Sequence, residues 1–156
     1  MNPPPYTRGK LFLLIVFFSP YCALLDAGTD PCSELAHAKS FSFGATTMTG
    51  RVVSGERAFS QVLHQPAPVH CFQKLMKTGN REGTMYALVG LRELDRGQFY
   101  IELERLRRQR FTVVTLATAQ QGVIETESGG TVLQQVADGL FHRDFEFCRK
   151  HLALVE

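Results

Sequence analysis

Histidine and cysteine side chains have the clearest potential for metal chemistry in this 156-residue chain. They form two groups, in the stretches HQPAPVHC and HRDFEFCRKH: His64, His70, Cys71, His142, Cys148 and His151. Zinc requires three or four nitrogen or sulfur ligands that converge tetrahedrally. Neither group has paired C-x-x-C spacing, and Pro66 and Pro68 interrupt the first. We therefore predict no metal site, surface or capping histidines, and structural roles for Cys71 and Cys148.

Catalytic motifs are present only as fragments. HRD at residues 142–144 matches part of the kinase catalytic loop, but no glycine-rich phosphate loop precedes it. His70 and Cys71 are adjacent, so on a helix their side chains would point about 100° apart. Glu125 and Glu127 would share one face of a strand, in a solvated position. We therefore predict no catalytic residues, no cofactor and no enzyme activity.

The stretch RLRRQR, residues 105–110, carries the strongest local charge of the chain. Such a cluster could attract an acidic protein, a lipid headgroup or a polyanion. The structural alternative is a helix C-terminus, where the macrodipole favours cations and Glu102 neutralises part of the charge. The outer face of this helix is the candidate interaction surface: Glu104, Arg105, Arg107, Arg108 and Arg110.

The N-terminal segment predicts export. Residues 1–10 contain two cations and no acid, and residues 11–25 contain no charge. This pattern is typical of a secretory signal peptide, and the apolar run is short for a membrane span, which needs roughly 20 residues. We predict a signal peptide at 1–27 and a single exported domain at 28–156, periplasmic or secreted. Cleavage after Ala23 and an uncleaved membrane anchor are the alternatives.

The net charge of +2, spread over mixed acids and bases, excludes a strong polyelectrolyte. Export argues against nucleic acid as a partner. We expect an unknown protein partner, and contact with a membrane only if the signal peptide stays uncleaved.

Three cysteines remain after cleavage at the predicted site: Cys32, Cys71 and Cys148. An oxidising compartment favours one disulfide and one leftover thiol. We expect Cys32 to pair with Cys148, because both lie on apolar faces of predicted helices and the bond would close a long loop. The alternative is three separate buried cysteines that pack as small hydrophobic residues.

Capping residues and apolar spacing predict helices over much of the mature chain. Asp30 and Pro31 start the first, Ser54 is the expected cap of the second, and Gly79 stops the third. Four consecutive helices are predicted between residues 54 and 109. The last of them has apolar residues at i, i+4 and i+7: Phe99, Leu103 and Leu106.

The C-terminal part of the chain combines strands and helices. The stretch 111–118 is rich in β-branched residues and predicts a strand, with 122–128 as its partner. Helical periodicity resumes at residue 129, and Gly139 is expected to divide it into two helices. Near the other end of the chain, 41–50 predicts a loop or a short strand.

The stretch TMYALVGLRELD contains the longest apolar run of the predicted mature chain, residues 85–91. A buried strand is compatible with the pattern, but Met, Ala and Leu are strong helix formers and the neighbouring segments are helical. We predict a central helix in which Gly90 permits the close approach of another helix. Its core residues should be Met85, Leu88, Leu91 and Leu94.

Paired short helices around YALVGL resemble HEAT-type or other helical-hairpin repeats. The stretch KLMKTGNREGTMYALVGLRELD is also similar to part of uncharacterised secreted bacterial proteins, and the resemblance covers residues 54–117. It implies a core of helical hairpins, and HEAT-like stacks generally act as binding surfaces. No activity is carried over from it.

These observations predict a mainly α-helical fold of HEAT-like hairpins with a small β-hairpin, with α+β as the alternative. The expected function is an exported, non-catalytic protein-binding module of the inhibitor or immunity type. One alternative is a small metal-binding or thiol-reactive envelope protein, and another is a membrane-anchored structural subunit.

Overall fold

A computed structural model describes residues 30–44, 52–116 and 124–151, which form seven helices and two strands. The helices are α1 (Pro31–Ala36), α2 (Ser54–Leu63), α3 (Pro68–Thr78), α4 (Arg81–Leu94), α5 (Arg96–Arg107), α6 (Gly129–Asp138) and α7 (His142–Lys150). The strands are β1 (Thr112–Leu116) and β2 (Ile124–Ser128). The predicted fold class, mainly α-helical with a small β-hairpin, is confirmed.

The predicted signal peptide at 1–27, its cleavage site and the membrane-anchored alternative lie outside the described residues. Across the described part of the chain, no helix combines the length and apolarity that a bilayer crossing requires.

α4 is the central helix, as TMYALVGLRELD predicts. It contacts α3, α5, α6, α7 and β1, and three predicted core residues are fully buried: Met85, Leu88 and Leu91. Gly90 permits the close approach of α3, because a β-carbon there would overlap the ring of Phe72. The prediction is wrong for Leu94, which is 40% exposed because it ends the helix, where the chain turns into α5.

Local signals start and stop most helices as predicted. The Asp30 carboxylate accepts two backbone N–H groups of α1, at 3.4 and 3.2 Å. Gly79 ends α3, and Gly139 ends α6 with a positive φ of 80°. Ser54 is not a cap, however: it is the first residue of α2, because the buried Val53 occupies the cap position without a side-chain hydrogen bond.

β1 and β2 form an antiparallel hairpin in which Val114 faces Thr126. The predicted strand pair is therefore confirmed over the described residues. On the other edge of β1, the N–H of Phe41 donates to the Val114 carbonyl at 2.7 Å, and Phe41 forms a parallel bridge with Thr115. The predicted loop at 41–50 thus contributes one bridge at its start, and its residues 45–50 lie outside the described part.

Seven aromatic rings form one connected cluster in the core: Phe41, Phe43, Phe59, Phe72, Tyr86, Phe141 and Phe145. Neighbouring centroids are 5.0 to 6.3 Å apart, mostly in edge-to-face contacts. Each such pair contributes about 0.5–1.5 kcal/mol beyond burial. The cluster fixes the segment 41–43 against α2 and α4.

The disulfide joins Cys32 to Cys71, with a Cα–Cα distance of 5.9 Å, and Cys148 is a buried free cysteine. The expected pairing of Cys32 with Cys148 is therefore wrong. α1 packs directly on α3, which carries Cys71, whereas α7, which carries Cys148, packs mainly on α2 and α4. An apolar helix face indicates burial, but it does not identify the helix that covers it.

Candidate functional site

α5 carries the predicted interaction residues on its surface. The Asp95 side chain starts the helix by accepting the Gln98 N–H at 3.1 Å. The inner face of α5 packs on α4 and α6 through the three predicted apolar residues, each 2% exposed: Phe99, Leu103 and Leu106. With that face buried, helical periodicity directs Tyr100, Ile101 and Glu104 outward.

The outer face of α5 exposes two large apolar side chains. Tyr100 is 61% exposed and Ile101 is 64% exposed. Exposed polar residues follow them along the same side of the helix, at i+3, i+4 and i+7. We use the name α5 surface for this set: Tyr100, Ile101, Glu104, Arg107, Arg108 and, just beyond the helix, Arg110.

Arg105 differs from the other predicted cations because its guanidinium is occupied. Its Nε donates to the Glu102 carboxylate at 2.6 Å, and its Nη2 donates to the Met76 carbonyl at 3.0 Å. Glu102 is itself buried, and Met76 belongs to α3. Arg105 therefore ties α5 to the end of α3, which is a structural role that the sequence did not predict.

The remaining predicted cations face solvent. Arg107 donates to Glu104 at 2.8 Å, and exposed pairs of this kind contribute only about 0–1 kcal/mol. Within the described ranges, Arg108 and Arg110 make no ion pair, and both are exposed. Their position at the C-terminal end of α5 also matches the preference of the helix dipole for cations.

A cleft of about 320 Å³ lies between the ends of α3 and α5 and the start of α4. Lys77, Arg81 and Arg105 line it, and the Arg81 guanidinium lies 5.0 Å from the centroid of the Phe111 ring. Sequence reasoning missed Lys77 and Arg81 as neighbours of the arginine cluster. Only the packing of α4 on both α3 and α5 brings them there, so no local spacing could have identified them.

Three of the metal-candidate histidines lie within hydrogen-bond distance of a protein oxygen. His64 and His151 bond to main-chain carbonyls of their own helices, at 2.8 and 3.0 Å. The His142 ring lies 2.9 Å from the Glu93 carboxylate, and His70 is exposed on α3. Over the described residues, no three His, Cys, Asp or Glu side chains are grouped as metal ligands.

The sequence did not identify a carboxyl pair next to Cys148, formed by Glu56 of α2 and Asp144 of α7. The Glu56 carboxylate accepts the Gly44 N–H at 2.9 Å, and burial raises the pKa of Glu56 to about 7. Burial likewise raises the pKa of Asp144. HRD, whose last residue is Asp144, simply begins α7.

A cleft of about 460 Å³ opens beside these carboxyls, with Arg143 and Phe147 in its wall. The adjacent thiol is a poor nucleophile, because burial raises the pKa of Cys148 to about 12 and the thiol is protonated at neutral pH. Glu125 is exposed and Glu127 half-buried, and both belong to β2, away from this pair in sequence.

No protein-family model, curated protein or solved structure matches this chain. The function proposed below therefore rests on the geometry of the described residues and not on a relative.

Proposed function

We propose that the protein is an exported, non-catalytic module that binds an acidic protein through the α5 surface. One observation carries the proposal: Tyr100 and Ile101 are exposed on α5, and the exposed Arg108 and Arg110 follow at the end of this helix, with no acidic partner for their charges among the described residues. Tyrosine and arginine are the residues most often found at the energetic centres of interfaces. An acidic partner would complement the unpaired charges.

The two kinds of side chain have different expected roles. Covering Ile101 would contribute about 1.5–3 kcal/mol from apolar burial, and Tyr100 adds a hydroxyl that can find a partner across the interface. The arginines lie toward the end of the helix, where they would steer an acidic surface and fix its orientation. Affinity would then come mainly from the apolar pair, and the association rate from the charges. A role of the inhibitor or immunity type is compatible with this division.

Export is supported by the disulfide between Cys32 and Cys71, since such bonds persist in oxidising compartments. The predicted signal peptide at 1–27 would provide the route. The thiol-reactive alternative has less support, because Cys71 is in the disulfide and the Cys148 thiol is buried and protonated.

The test compares two double charge reversals of equal size. Arg108→Glu with Arg110→Glu changes the α5 surface, and Lys39→Glu with Lys74→Glu changes two exposed lysines elsewhere. Wild type and both variants are immobilised and exposed to the exported protein fraction of the source organism. Captured proteins are then quantified by mass spectrometry, and each candidate is purified and its affinity measured directly.

We expect that the wild type and the lysine double variant both capture one acidic protein, and that the arginine double variant does not capture it. Its purified form should bind the arginine variant at least about tenfold more weakly, and its association rate should fall with added salt. Ile101→Asp should abolish the same binding through the apolar contact. The proposal is wrong if no captured protein distinguishes the two reversals. It is also wrong if the arginine variant loses only affinity for phosphatidylglycerol vesicles, because the surface would then bind membranes.

A further inference from the structure

The cleft between the ends of α3 and α5 and the start of α4 concentrates positive charge. Three cations line it, Lys77, Arg81 and Arg105, and the described residues of its lining include no aspartate or glutamate. Glu102, outside the lining, pairs with Arg105. Within the described ranges, Lys77 and Arg81 form no ion pair. Three cations against one carboxylate leave the cleft with an excess of two positive charges.

Two of the cations are held at the cleft by other residues of its wall. The Arg81 Nη1 donates to the Gln109 Oε1 at 3.4 Å, and the same guanidinium lies 5.0 Å from the centroid of Phe111. The Arg105 Nη2 donates to the Met76 carbonyl at 3.0 Å. These three neighbours all line the cleft, so both guanidinium groups lie at its wall. Both side chains are accessible to a ligand, since Arg81 is exposed and the Arg105 side chain is 45% exposed.

Each guanidinium also keeps donors for a ligand. Among the described residues, hydrogen bonds use only Nη1 of Arg81, and only Nε and Nη2 of Arg105. The Nε and Nη2 of Arg81 and the Nη1 of Arg105 are left without a partner there. The ammonium of Lys77, which is exposed in the last turn of α3, adds further donors. Guanidinium and ammonium groups are the side chains that bind phosphate in proteins.

Arg81 occupies an unfavourable place for a cation. It is the first residue of α4, where the helix dipole carries partial positive charge and favours an acid. The acid of this first turn, Glu82, directs its carboxylate to the Val114 N–H at 2.9 Å and forms no ion pair with Arg81. A local preference that is broken without compensation typically marks a functional site. A bound anion would offset both the Arg81 charge and the dipole.

Size and charge together select the ligand. The volume of about 320 Å³ lies near the lower end of small-molecule sites, which span roughly 300–1,000 Å³. A phosphate monoester carries close to two negative charges at neutral pH, which matches the excess charge of the cleft. Its three terminal oxygens can accept from three separate cations. The half-buried Phe111 offers an apolar contact to the organic part of such an ester.

We propose that this cleft binds a phosphate monoester. Arg81 and Arg105 donate to the phosphate oxygens, Lys77 donates from the end of α3, and the ligand charge complements the start of α4. Two sources have this chemistry: a small soluble ester, and the phosphate headgroup of a lipid such as phosphatidic acid. The site uses none of the residues of the α5 surface, so it stands independently of the proposed function.

The experiment titrates the purified protein with glycerol 3-phosphate, with glycerol and with succinate, followed by calorimetry. Glycerol lacks the phosphate, and succinate carries two charges on separate carboxylates. We expect saturable binding of glycerol 3-phosphate and none of glycerol. Succinate should bind at least about tenfold more weakly, because the donors converge on one group. The melting temperature should rise with the ester, since a ligand of the folded state stabilises it by mass action.

Arg81→Gln should weaken binding of the ester at least about tenfold, because it removes a charge and its hydrogen bonds. Arg96→Gln is the matched control and should leave the affinity unchanged. Arg96 is likewise the exposed first residue of a helix, α5, but lies outside the cleft lining. Without ligand, both variants should melt at the wild-type temperature or above it, since each removes a cation from a helix start. Lys77→Gln is a second variant that should also weaken binding.

Vesicles distinguish the two sources. Binding to vesicles of phosphatidylcholine with phosphatidic acid that exceeds binding of the soluble ester, and that Arg81→Gln loses, would assign the cleft to a lipid headgroup. Binding of the soluble ester without vesicle binding would assign it to a small molecule. Either result supports the proposal. It is overturned if neither phosphate source saturates the protein, if succinate binds as tightly as the ester, or if Arg81→Gln and Arg96→Gln have equal effects.

Discussion

The hydroxyl of Tyr86 and the backbone of Ser42 are joined by two hydrogen bonds, although the residues are far apart in sequence. The hydroxyl accepts the Ser42 N–H at 3.1 Å and donates to the Ser42 carbonyl at 2.7 Å. Tyr86 lies on the central helix and is fully buried. The Tyr86 hydroxyl thus pairs with both backbone polar groups of Ser42, a residue that does not belong to a strand.

Tyr86→Phe should therefore destabilise the protein although the ring is retained. The substitution leaves a buried N–H and a buried carbonyl unpaired at Ser42, for an expected loss of about 2–4 kcal/mol in the free energy of unfolding. Urea denaturation followed by circular dichroism would measure it. Tyr100→Phe is the matched control, because Tyr100 is 61% exposed, and it should change stability by less than about 0.5 kcal/mol. Equal effects of the two substitutions would show that the Tyr86 bonds contribute nothing.

Leu88 tests the position of α4 at the centre of the fold. Leu88→Ala should lower the free energy of unfolding by about 2–5 kcal/mol, since the side chain is fully buried among several helices. Leu88→Asp should unfold the protein, because it buries an unpaired charge. Circular dichroism and thermal melting would report both. Leu94→Asp, on the same helix but 40% exposed, should stay folded. A folded Leu88→Asp protein would contradict the core described above.

The contrast between Leu88 and Leu94 shows what the sequence could predict. Helical period and apolar content predicted α4 and the inner face of α5, because burial of one helix face is a local pattern. The same reasoning misplaced Leu94, since exposure at the end of a helix depends on which neighbours reach it. The Cys32 pairing failed for the same reason: the partner of a buried face is set by tertiary packing.

The candidate functional residues also divide into those that the sequence could predict and those that it could not. The arginines from 105 to 110 were visible as a run of charge, and Arg107, Arg108 and Arg110 are part of the α5 surface. The structural tie of Arg105 to Met76 could not be predicted, because it joins two helices that are separated in sequence. Likewise, nothing in the local sequence places Ser42 and Thr115 beside the same pocket, since that arrangement depends on the bridge between Phe41 and β1.

Glu56 should make stability fall as the pH rises through the acidic and neutral range. Burial raises its pKa from 4.5 to about 7 in the folded protein, so the folded state holds the proton more tightly than the unfolded chain. Between pH 4.5 and 7 the unfolded chain ionises first, and the free energy of unfolding should decrease by about 3 kcal/mol. The raised pKa of Asp144 acts in the same direction.

Glu56→Gln should remove the contribution of Glu56 to this pH dependence. The amide stays neutral and its oxygen can still accept the Gly44 N–H. We expect stability equal to wild type at about pH 4 and about 3 kcal/mol higher at about pH 8, measured by urea denaturation at each pH. Glu125→Gln, at an exposed position, should follow the wild-type curve. A difference in stability between Glu56→Gln and wild type that does not grow from pH 4.5 to 7 would contradict the raised pKa of Glu56.

The disulfide should be a major source of stability. It joins α1 to α3 across a sequence separation of 39 residues, and closing a loop of this length contributes about 4 kcal/mol in the chain-entropy model. Cys32→Ser with Cys71→Ser should lower the free energy of unfolding by about that amount. Cys148→Ala should have a smaller effect, since it shortens one buried side chain and breaks no bond.

Peptide mapping without reduction checks the pairing itself. In the predicted mature chain, 28–156, we expect one linked peptide pair containing Cys32 and Cys71. Cys148 should resist a thiol reagent in the folded protein, because it is 2% exposed and burial raises its pKa to about 12. It should react once in denaturant. A link between Cys32 and Cys148 would require α1 to pack on α7, and rapid labelling of the folded protein would place Cys148 at the surface.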